Sequence, residues 1–140
     1  KKGLDPKEID LVIVCTASPD MKAASTAAYT ATEIGAVNAF SYDLEAACSS
    51  FLFGMSTATA YIEAGRYKKI LLIGADKNSS FINYKDRATC IIFGDGAGVA
   101  LLEPSDEGNG IMDAILKERG LCRLIELIQP CQLFRQKRHQ

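Results

Sequence analysis

The stretch AFSYDLEAACSSFLFGMSTATAYIEAGRYKKILLIGA, residues 39–75, contains a strand, a helix and a second strand in succession. Its first part, residues 39–44, alternates apolar and polar side chains, whereas residues 69–75 form a short, largely apolar run that is typical of a buried strand. Between them, residues 48–64 are mostly helix formers and are followed by Gly65, a typical helix stop. This succession predicts a right-handed crossover between two parallel strands.

The chain upstream of this unit repeats the pattern. Leu11–Cys15 is a β-branched apolar run that is too short for a helix, and it predicts a buried strand. Residues 23–34 are rich in alanine and threonine and end at Gly35, which predicts a helix of about three turns. We therefore predict an α/β fold with a mostly parallel sheet, in which the small side chains of the second helix indicate burial on most sides.

The pattern changes after the third predicted strand. Residues 77–88 are polar and predict an irregular loop. Residues 90–93 and 99–102 predict two strands that form a hairpin-like pair around a tight glycine turn at Gly94, Gly96 and Gly98. Residues 111–116 predict one further strand.

Charge and cysteine content narrow the possible functions. The 140 residues include 16 Lys and Arg against 17 Asp and Glu, which gives no general electrostatic reason to bind nucleic acid or an anionic membrane. The sequence shows neither a membrane span nor a signal peptide, so a cytoplasmic protein is expected. Its five cysteines are widely spaced and form no CxxC pair, so we expect neither a disulfide framework nor a metal site.

Cys48 stands at the predicted turn from strand to helix. There the unpaired backbone N–H groups and the helix dipole favour the reactive thiolate, and the same N–H groups can stabilise an oxyanion. The alternative is that Cys48 is a small packing residue at the start of a buried helix. The spacing alone leaves both interpretations open.

Four stretches together identify a family resemblance. Residues 43–51, DLEAACSSF, resemble the active-site stretch of β-ketoacyl-acyl carrier protein synthase III enzymes, and residues 69–76 resemble the strand that follows. Asp86-Arg87-Ala88-Thr89 resembles the family's D-R-x-T element, and residues 93–98 resemble its F-G-D-G-A-G signature. The four stretches occur in the family's order, and the resemblance covers roughly residues 4–118.

The resemblance implies a thiolase-like fold, of which residues 1–118 form an incomplete N-terminal half. It also implies a reaction of fatty-acid initiation, in which Cys48 takes an acyl group, of the acetyl class, from an acyl-CoA substrate. Malonyl-acyl carrier protein then loses CO2 and accepts that acyl group, giving 3-oxoacyl-acyl carrier protein by a ping-pong route. No resident cofactor is implied, and the complete enzyme is expected to be a homodimer.

The resemblance also assigns roles within the last two motifs. It places Arg87 against the adenine of coenzyme A, whereas a lone arginine in a polar loop is by default a solvated charge. We expect Asp86 and Thr89 to shape the loop by bonding nearby backbone groups. The glycine cluster precedes a predicted strand rather than a helix, which argues against dinucleotide binding and favours Asp95 as a turn residue.

The chain departs from the family at several points. The histidine and asparagine that assist decarboxylation have no counterpart, and we interpret the sole histidine, His139, as a tail residue. Ala23 and Ala24 stand where many relatives carry phenylalanine and proline, which leaves the acyl preference open. The family's earlier strand and helix are also absent, so this chain alone is not expected to perform condensation.

Residues 119–140 have no counterpart in the family and indicate either a frameshift or a short amphipathic helix ended by Pro130. Two alternatives to the leading interpretation remain. One is another thiolase-superfamily synthase, and the other is a non-catalytic, dimer-forming remnant.

Overall fold

The computed structural model describes residues 3–106 and 110–116, so the predicted tail at 119–140 and His139 lie outside the described residues. The described chain forms one sheet with two α-helices, in the order β1 Leu11–Cys15, α1 Thr26–Ile34, β2 Phe40–Leu44, α2 Ser50–Glu63, β3 Ile70–Lys77 and β4 Asp95–Leu102. Short 3-10 turns occur at Pro6–Glu8, Ala47–Ser49 and Asn78–Ser80. Neither α1 nor α2, the α-helices of the described part, is long and apolar enough to span a bilayer.

The sheet has the strand order β2-β1-β3-β4. β1 runs parallel to both of its neighbours, with Leu11 opposite Phe40 on one side and Ile70 on the other. β4 pairs antiparallel with β3, and Gly98 lies opposite Gly74. The predicted α/β class and the parallel crossovers through both helices are thus confirmed.

β1 is the buried centre of the sheet, and its two faces pack against different helices. Val12 and Val14 cluster with alanines of α1, whereas Leu11, Ile13 and Cys15 cluster with Ala58 of α2. Because successive side chains of a strand point to opposite faces, an uninterrupted apolar run is what a strand covered on both sides requires.

The boundaries of α1 follow from its caps. The Ser25 hydroxyl accepts a hydrogen bond from the Ala28 amide, so the helix begins at Thr26 rather than at residue 23. Gly35 ends it in the left-handed conformation with φ +81°, where its amide bonds back to carbonyls of the last turn. The predicted stop at Gly35 is confirmed.

α2 approaches the sheet closely along one line of small residues, which are buried at four-residue spacing: Ser50, Gly54 and Ala58. A Cβ added at Gly54 would lie 2.6 Å from the Cys15 sulfur, so the absence of a side chain permits this contact. Burial on most sides, however, is not observed: Leu52 is 57% exposed, because the sheet covers only one side of α2 among the described residues.

Residues 90–92 form turns and Phe93 is irregular, so the predicted strand over 90–93 is not observed. Ile91 and Ile92 are exposed, the Cys90 amide donates to the Asp86 carbonyl, and the Ile92 amide donates to Thr89. Four apolar residues match a strand locally, but these backbone hydrogen bonds hold the segment in turns, and no strand of the described sheet pairs with it. The predicted hairpin is therefore wrong, since the antiparallel partner of β4 is β3.

The predicted tight turn at Gly94, Gly96 and Gly98 is also wrong. Gly96 and Gly98 lie inside β4, opposite Asp76 and Gly74, and neither has a positive φ. The backbone ladder with β3 overrides the low strand propensity of glycine.

Residues 111–116 are irregular rather than a strand. Met112 and Ile115 are each more than four-fifths exposed, and within the described chain this segment pairs with no strand of the sheet.

Candidate active site

The candidate site lies at the carboxyl edge of the sheet, the edge at which β1, β2 and β3 end. The three strands are parallel, and the Thr16 amide donates to the Leu44 carbonyl (3.2 Å), which ties the ends of β1 and β2 together. Cys48 lies in the turn after β2, and the loop that carries Arg87 follows β3. The structure thus brings both predicted residues to the edge at which open α/β sheets bind ligands.

The turn that carries Cys48 has an unusual backbone. Ala47 has a φ of +45° and is the only non-glycine residue with a positive φ in the described ranges. This conformation costs an alanine roughly 1–2 kcal/mol, and strain of this kind clusters at functional sites. The resulting sharp turn leaves Cys48 exposed at the start of α2.

The two serines after Cys48 have their hydroxyls engaged. Ser49 Oγ donates to the Ala46 carbonyl at 2.8 Å, and Ser50 Oγ donates to the Ala47 carbonyl at 2.7 Å. Ser49 therefore makes no side-chain cap on α2, although it occupies the position where serine often caps a helix. The Ser50 amide itself donates to the Ala47 carbonyl, so an anion beside the Cys48 thiol would have to use amides that follow Ser50 in the first turn of α2.

Asp43, the first residue of the cysteine motif, has a structural role that the local sequence does not predict. Its carboxylate accepts hydrogen bonds from the Thr26 and Ala27 amides, both at 2.7 Å, and from the Ser25 hydroxyl at 3.0 Å. It therefore caps the start of α1 from the neighbouring strand β2, which fixes the end of β2 before the Cys48 turn. The only signal in the sequence is the helix-start pattern Ser25-Thr26. No residue close to it in the chain identifies Asp43 as the acceptor for these groups.

The three cysteines in the described ranges lie in different environments. Cys48 is exposed and Cys90 is partly buried, whereas Cys15 is 1% exposed in the centre of β1. Burial raises the pKa of the Cys15 thiol to about 11. At neutral pH Cys15 is therefore almost entirely the unreactive thiol.

We expect iodoacetamide to label Cys48 at least about tenfold faster than Cys15 in the folded protein, because burial limits both access and thiolate formation at Cys15. Trypsin places these thiols in separate peptides, residues 23–66 and 8–22, so mass spectrometry can follow both rates in one sample. Urea should bring the two rates together. Equal rates in the folded protein would contradict the difference in environment.

Residues 81–93 carry Arg87, and we call them the Arg87 loop; they are organised around Asp86. Its carboxylate accepts hydrogen bonds from the Ala88 amide at 3.0 Å and from the Thr89 hydroxyl at 2.6 Å. The predicted bond of Asp86 to a nearby backbone group is thus confirmed, whereas the Thr89 hydroxyl bonds the Asp86 side chain rather than the backbone. The Thr89 hydroxyl, followed by the Ala88 amide, holds the pKa of Asp86 below its usual range. Arg87 itself is exposed, and in the described ranges the ion pairs join Lys69 to Glu8 and Glu103 rather than involving Arg87.

A cavity of about 470 Å³ lies beside the first turn of α2 and is lined by Phe51, Gly74, Gly98 and Val99. Phe51 follows Cys48 by three residues, but Cys48 itself does not line this cavity. Another cavity, of about 400 Å³, is lined by Thr59 and Ile62 in the last turns of α2 and is therefore remote from Cys48.

Residues 42–120, more than half of the chain, match the family described as 3-oxoacyl-[acyl-carrier-protein (ACP)] synthase III. Among similar proteins, a β-ketoacyl-[acyl-carrier-protein] synthase III of Bacteroides thetaiotaomicron is 53% identical over 120 residues, which cover 86% of this chain and 36% of that protein. The β-ketoacyl-[acyl-carrier-protein] synthase III of Chlorobaculum tepidum is 49% identical to this chain, and the matched residues cover 40% of that protein. The chain thus spans little more than a third of the length of these relatives.

Solved structures show the same fold. The 3-oxoacyl-[acyl-carrier-protein] synthase III of Aquifex aeolicus superposes with a TM-score of 0.72 at 38% identity, covering 74% of this chain and 34% of the other. The priming β-ketosynthase of the R1128 polyketide pathway superposes with the same TM-score and the same identity, and the match covers 31% of that chain. The described residues therefore form part of the thiolase-like fold.

Proposed function

The chain belongs to the 3-oxoacyl-[acyl-carrier-protein] synthase III family, and on that premise we propose that it carries the acyl-accepting half of a condensing active site. The observation that carries the proposal is the exposed Cys48 thiol at the uncapped start of α2, inside the region that matches the family. The substrate of this half-reaction is an acyl-CoA of the acetyl class.

The acyl transfer follows from this geometry. The Cys48 thiolate adds to the thioester carbonyl carbon, and the carbonyl oxygen becomes an oxyanion that first-turn amides of α2 can stabilise. Collapse of this intermediate breaks the bond to the coenzyme A sulfur, which leaves as a thiolate and takes a proton from solvent. The acyl group remains as a thioester on Cys48.

The second half of the reaction needs further groups. Decarboxylation of malonyl-acyl carrier protein creates a carbanion at C2, and attack of that carbon on the acyl-cysteine releases Cys48 as a thiolate. Positioned donors must stabilise the enolate during this step. The hydroxyls of Ser49 and Ser50 already donate to backbone carbonyls, so we propose that this chain alone does not complete the condensation.

The test is incubation of the purified chain with radiolabelled acetyl-CoA, with and without malonyl-acyl carrier protein. Label on the tryptic peptide of residues 23–66 without a 3-oxoacyl product is the expected result. Absence of label would instead support a non-catalytic remnant. Turnover to 3-oxoacyl-acyl carrier protein would overturn the assignment of a half-site.

A priming ketosynthase of polyketide synthesis is the second candidate. The structural similarity favours it as strongly as the fatty-acid enzyme, since both solved structures superpose with a TM-score of 0.72. Analysis of the product that the full-length protein forms would distinguish the two candidates.

We expect Arg87→Ala to weaken coenzyme A binding about tenfold, because one exposed guanidinium can both stack on adenine and meet phosphate. Isothermal titration with coenzyme A measures the change. Lys85→Ala is the matched control, since it removes another exposed cation from the same loop and should leave the isotherm nearly unchanged. If the two substitutions weakened coenzyme A binding equally, Arg87 would contribute only its positive charge and not a specific contact.

A further inference from the structure

The Arg87 loop follows the 3-10 turn Asn78–Ser80, which comes directly after β3, and leads back to the sheet at β4. Internally the loop is held by two turns. Asn83 accepts from the Lys85 amide through its side chain and from the Asp86 amide through its carbonyl. The bonds of Asp86 to Ala88 and Thr89 then fix the backbone on both sides of Arg87. These turns order the loop but do not orient it relative to the sheet.

The base of the loop provides that orientation. Lys77 at the end of β3 is opposite Asp95 at the start of β4 in the ladder register. Just beyond this pair, the Asn78 side-chain amide donates to the Gly94 carbonyl at 2.7 Å. The Asp95 carboxylate accepts twice from Ser79, from the amide at 2.8 Å and from the hydroxyl at 2.6 Å.

We propose that Asp95 and Ser79 form a clamp that closes the base of the Arg87 loop and sets the position of Arg87, which makes Asp95 a positioning residue. Both oxygens of one carboxylate are used on a single residue across the base, an arrangement that fixes direction as well as distance. The clamp fixes the base of a loop whose turns are themselves ordered by hydrogen bonds. Because few backbone torsions between the base and Arg87 are free, a constraint at the base also limits where Arg87 can lie. The role for coenzyme A rests on the proposed function.

The electrostatics of Asp95 agree with this geometry. The Ser79 hydroxyl, followed by the Ser79 amide, holds the pKa of Asp95 below its usual range. Asp95 is exposed and Ser79 is only partly buried, so neither belongs to the cores on the two faces of β1. Removing the clamp should therefore loosen the loop without unfolding the sheet.

The variants are Ser79→Ala, which removes the hydroxyl bond, and Asp95→Ala, which removes both bonds. Ser79→Thr keeps a hydroxyl and serves as the conservative rescue. Ser80→Ala is the matched control, because the Ser80 hydroxyl donates to the Lys77 carbonyl and does not contact Asp95. Urea midpoints of all variants report whether the fold itself has changed.

Two measurements distinguish an effect on the loop from an effect on ligand binding. Limited trypsin digestion measures cleavage after Lys85 and Arg87 inside the loop, and titration with coenzyme A measures binding. For Ser79→Ala we expect about fivefold faster cleavage and about fivefold weaker binding, the ratio that loss of one exposed hydrogen bond produces. Asp95→Ala should exceed both effects, and Ser79→Thr should resemble the unaltered protein.

Cleavage of Ser79→Ala at the rate of Ser80→Ala would overturn the clamp, whatever the binding result. Faster cleavage with unchanged coenzyme A binding would keep the clamp but overturn its role in positioning Arg87. If the unaltered protein binds no coenzyme A, the proposed function fails, and the digestion alone decides whether the clamp exists.

Discussion

Cys48→Ser is expected to reduce acylation of the protein by acetyl-CoA at least about 1,000-fold, because a serine hydroxyl stays protonated at neutral pH and needs a general base. The neighbouring side chains of Ser49 and Ser50 cannot supply one, because a neutral hydroxyl oxygen is too weak a base to take a proton near neutral pH. The substitution changes one exposed atom, so the strained turn at Ala47 should persist. Protein-bound label from radiolabelled acetyl-CoA measures the loss.

Cys90→Ser is the matched control for this experiment. Cys90 is a partly buried free thiol in the Arg87 loop and lies outside the turn between β2 and α2. Its substitution should leave the label on the peptide of residues 23–66 unchanged. Labelling of Cys48→Ser at the unaltered rate would show that the acyl group resides elsewhere and would remove the basis of the proposed half-site.

The turn at Cys48 was predictable because its signals are local. A strand that ends at Leu44, small residues around Cys48 and helix formers after Ser50 are contiguous in the sequence, and the structure places the turn there. The strained φ of Ala47 was not predictable, because alanine is not a residue that favours positive φ.

The contacts that support the site could not be predicted from the sequence, for a different reason. Asp43 bonds Thr26 across 17 positions and Asp95 bonds Ser79 across 16, so neither partner can be inferred from a short window. The same reason explains the error at residues 90–93, where an apolar run matched a strand but pairing depended on β3 and β4. Local pattern determines which segments can be strands, and contacts with residues distant in the sequence determine which of them pair.

The close approach of α2 to β1 supports the second large prediction. We expect Gly54→Ala to reduce the free energy of unfolding by about 2 kcal/mol, since overpacking a buried contact costs roughly 1–3 kcal/mol or more. The added Cβ would lie 2.6 Å from the Cys15 sulfur and 2.7 Å from Leu72 Cδ1. Cys15 is held in the central strand and cannot move away as readily as the end of a leucine side chain.

Helix propensity acts in the opposite direction, because alanine is favoured over glycine by roughly 1 kcal/mol in a helix interior. Ala60→Gly calibrates this contribution, since Ala60 is an exposed position of the same helix. Urea unfolding followed by circular dichroism gives both values on one scale. A stabilised Gly54→Ala variant would show that propensity outweighs the steric cost and that α2 does not need to approach β1 so closely.

The double variant Gly54→Ala with Cys15→Ala identifies the source of the cost. Cys15→Ala alone should destabilise the core, because it leaves a small cavity in the buried strand. If the new Cβ collides with the Cys15 sulfur, removing that sulfur gives the Cβ room, and the double variant should be more stable than the sum of the two single changes by about 1 kcal/mol or more. Strict additivity would mean that the strain introduced by Gly54→Ala arises at Leu72 instead. Since Cys48 precedes Gly54 by less than two helical turns, a variant that displaces α2 from β1 should also slow acylation, which links the packing of this glycine to the position of the thiol.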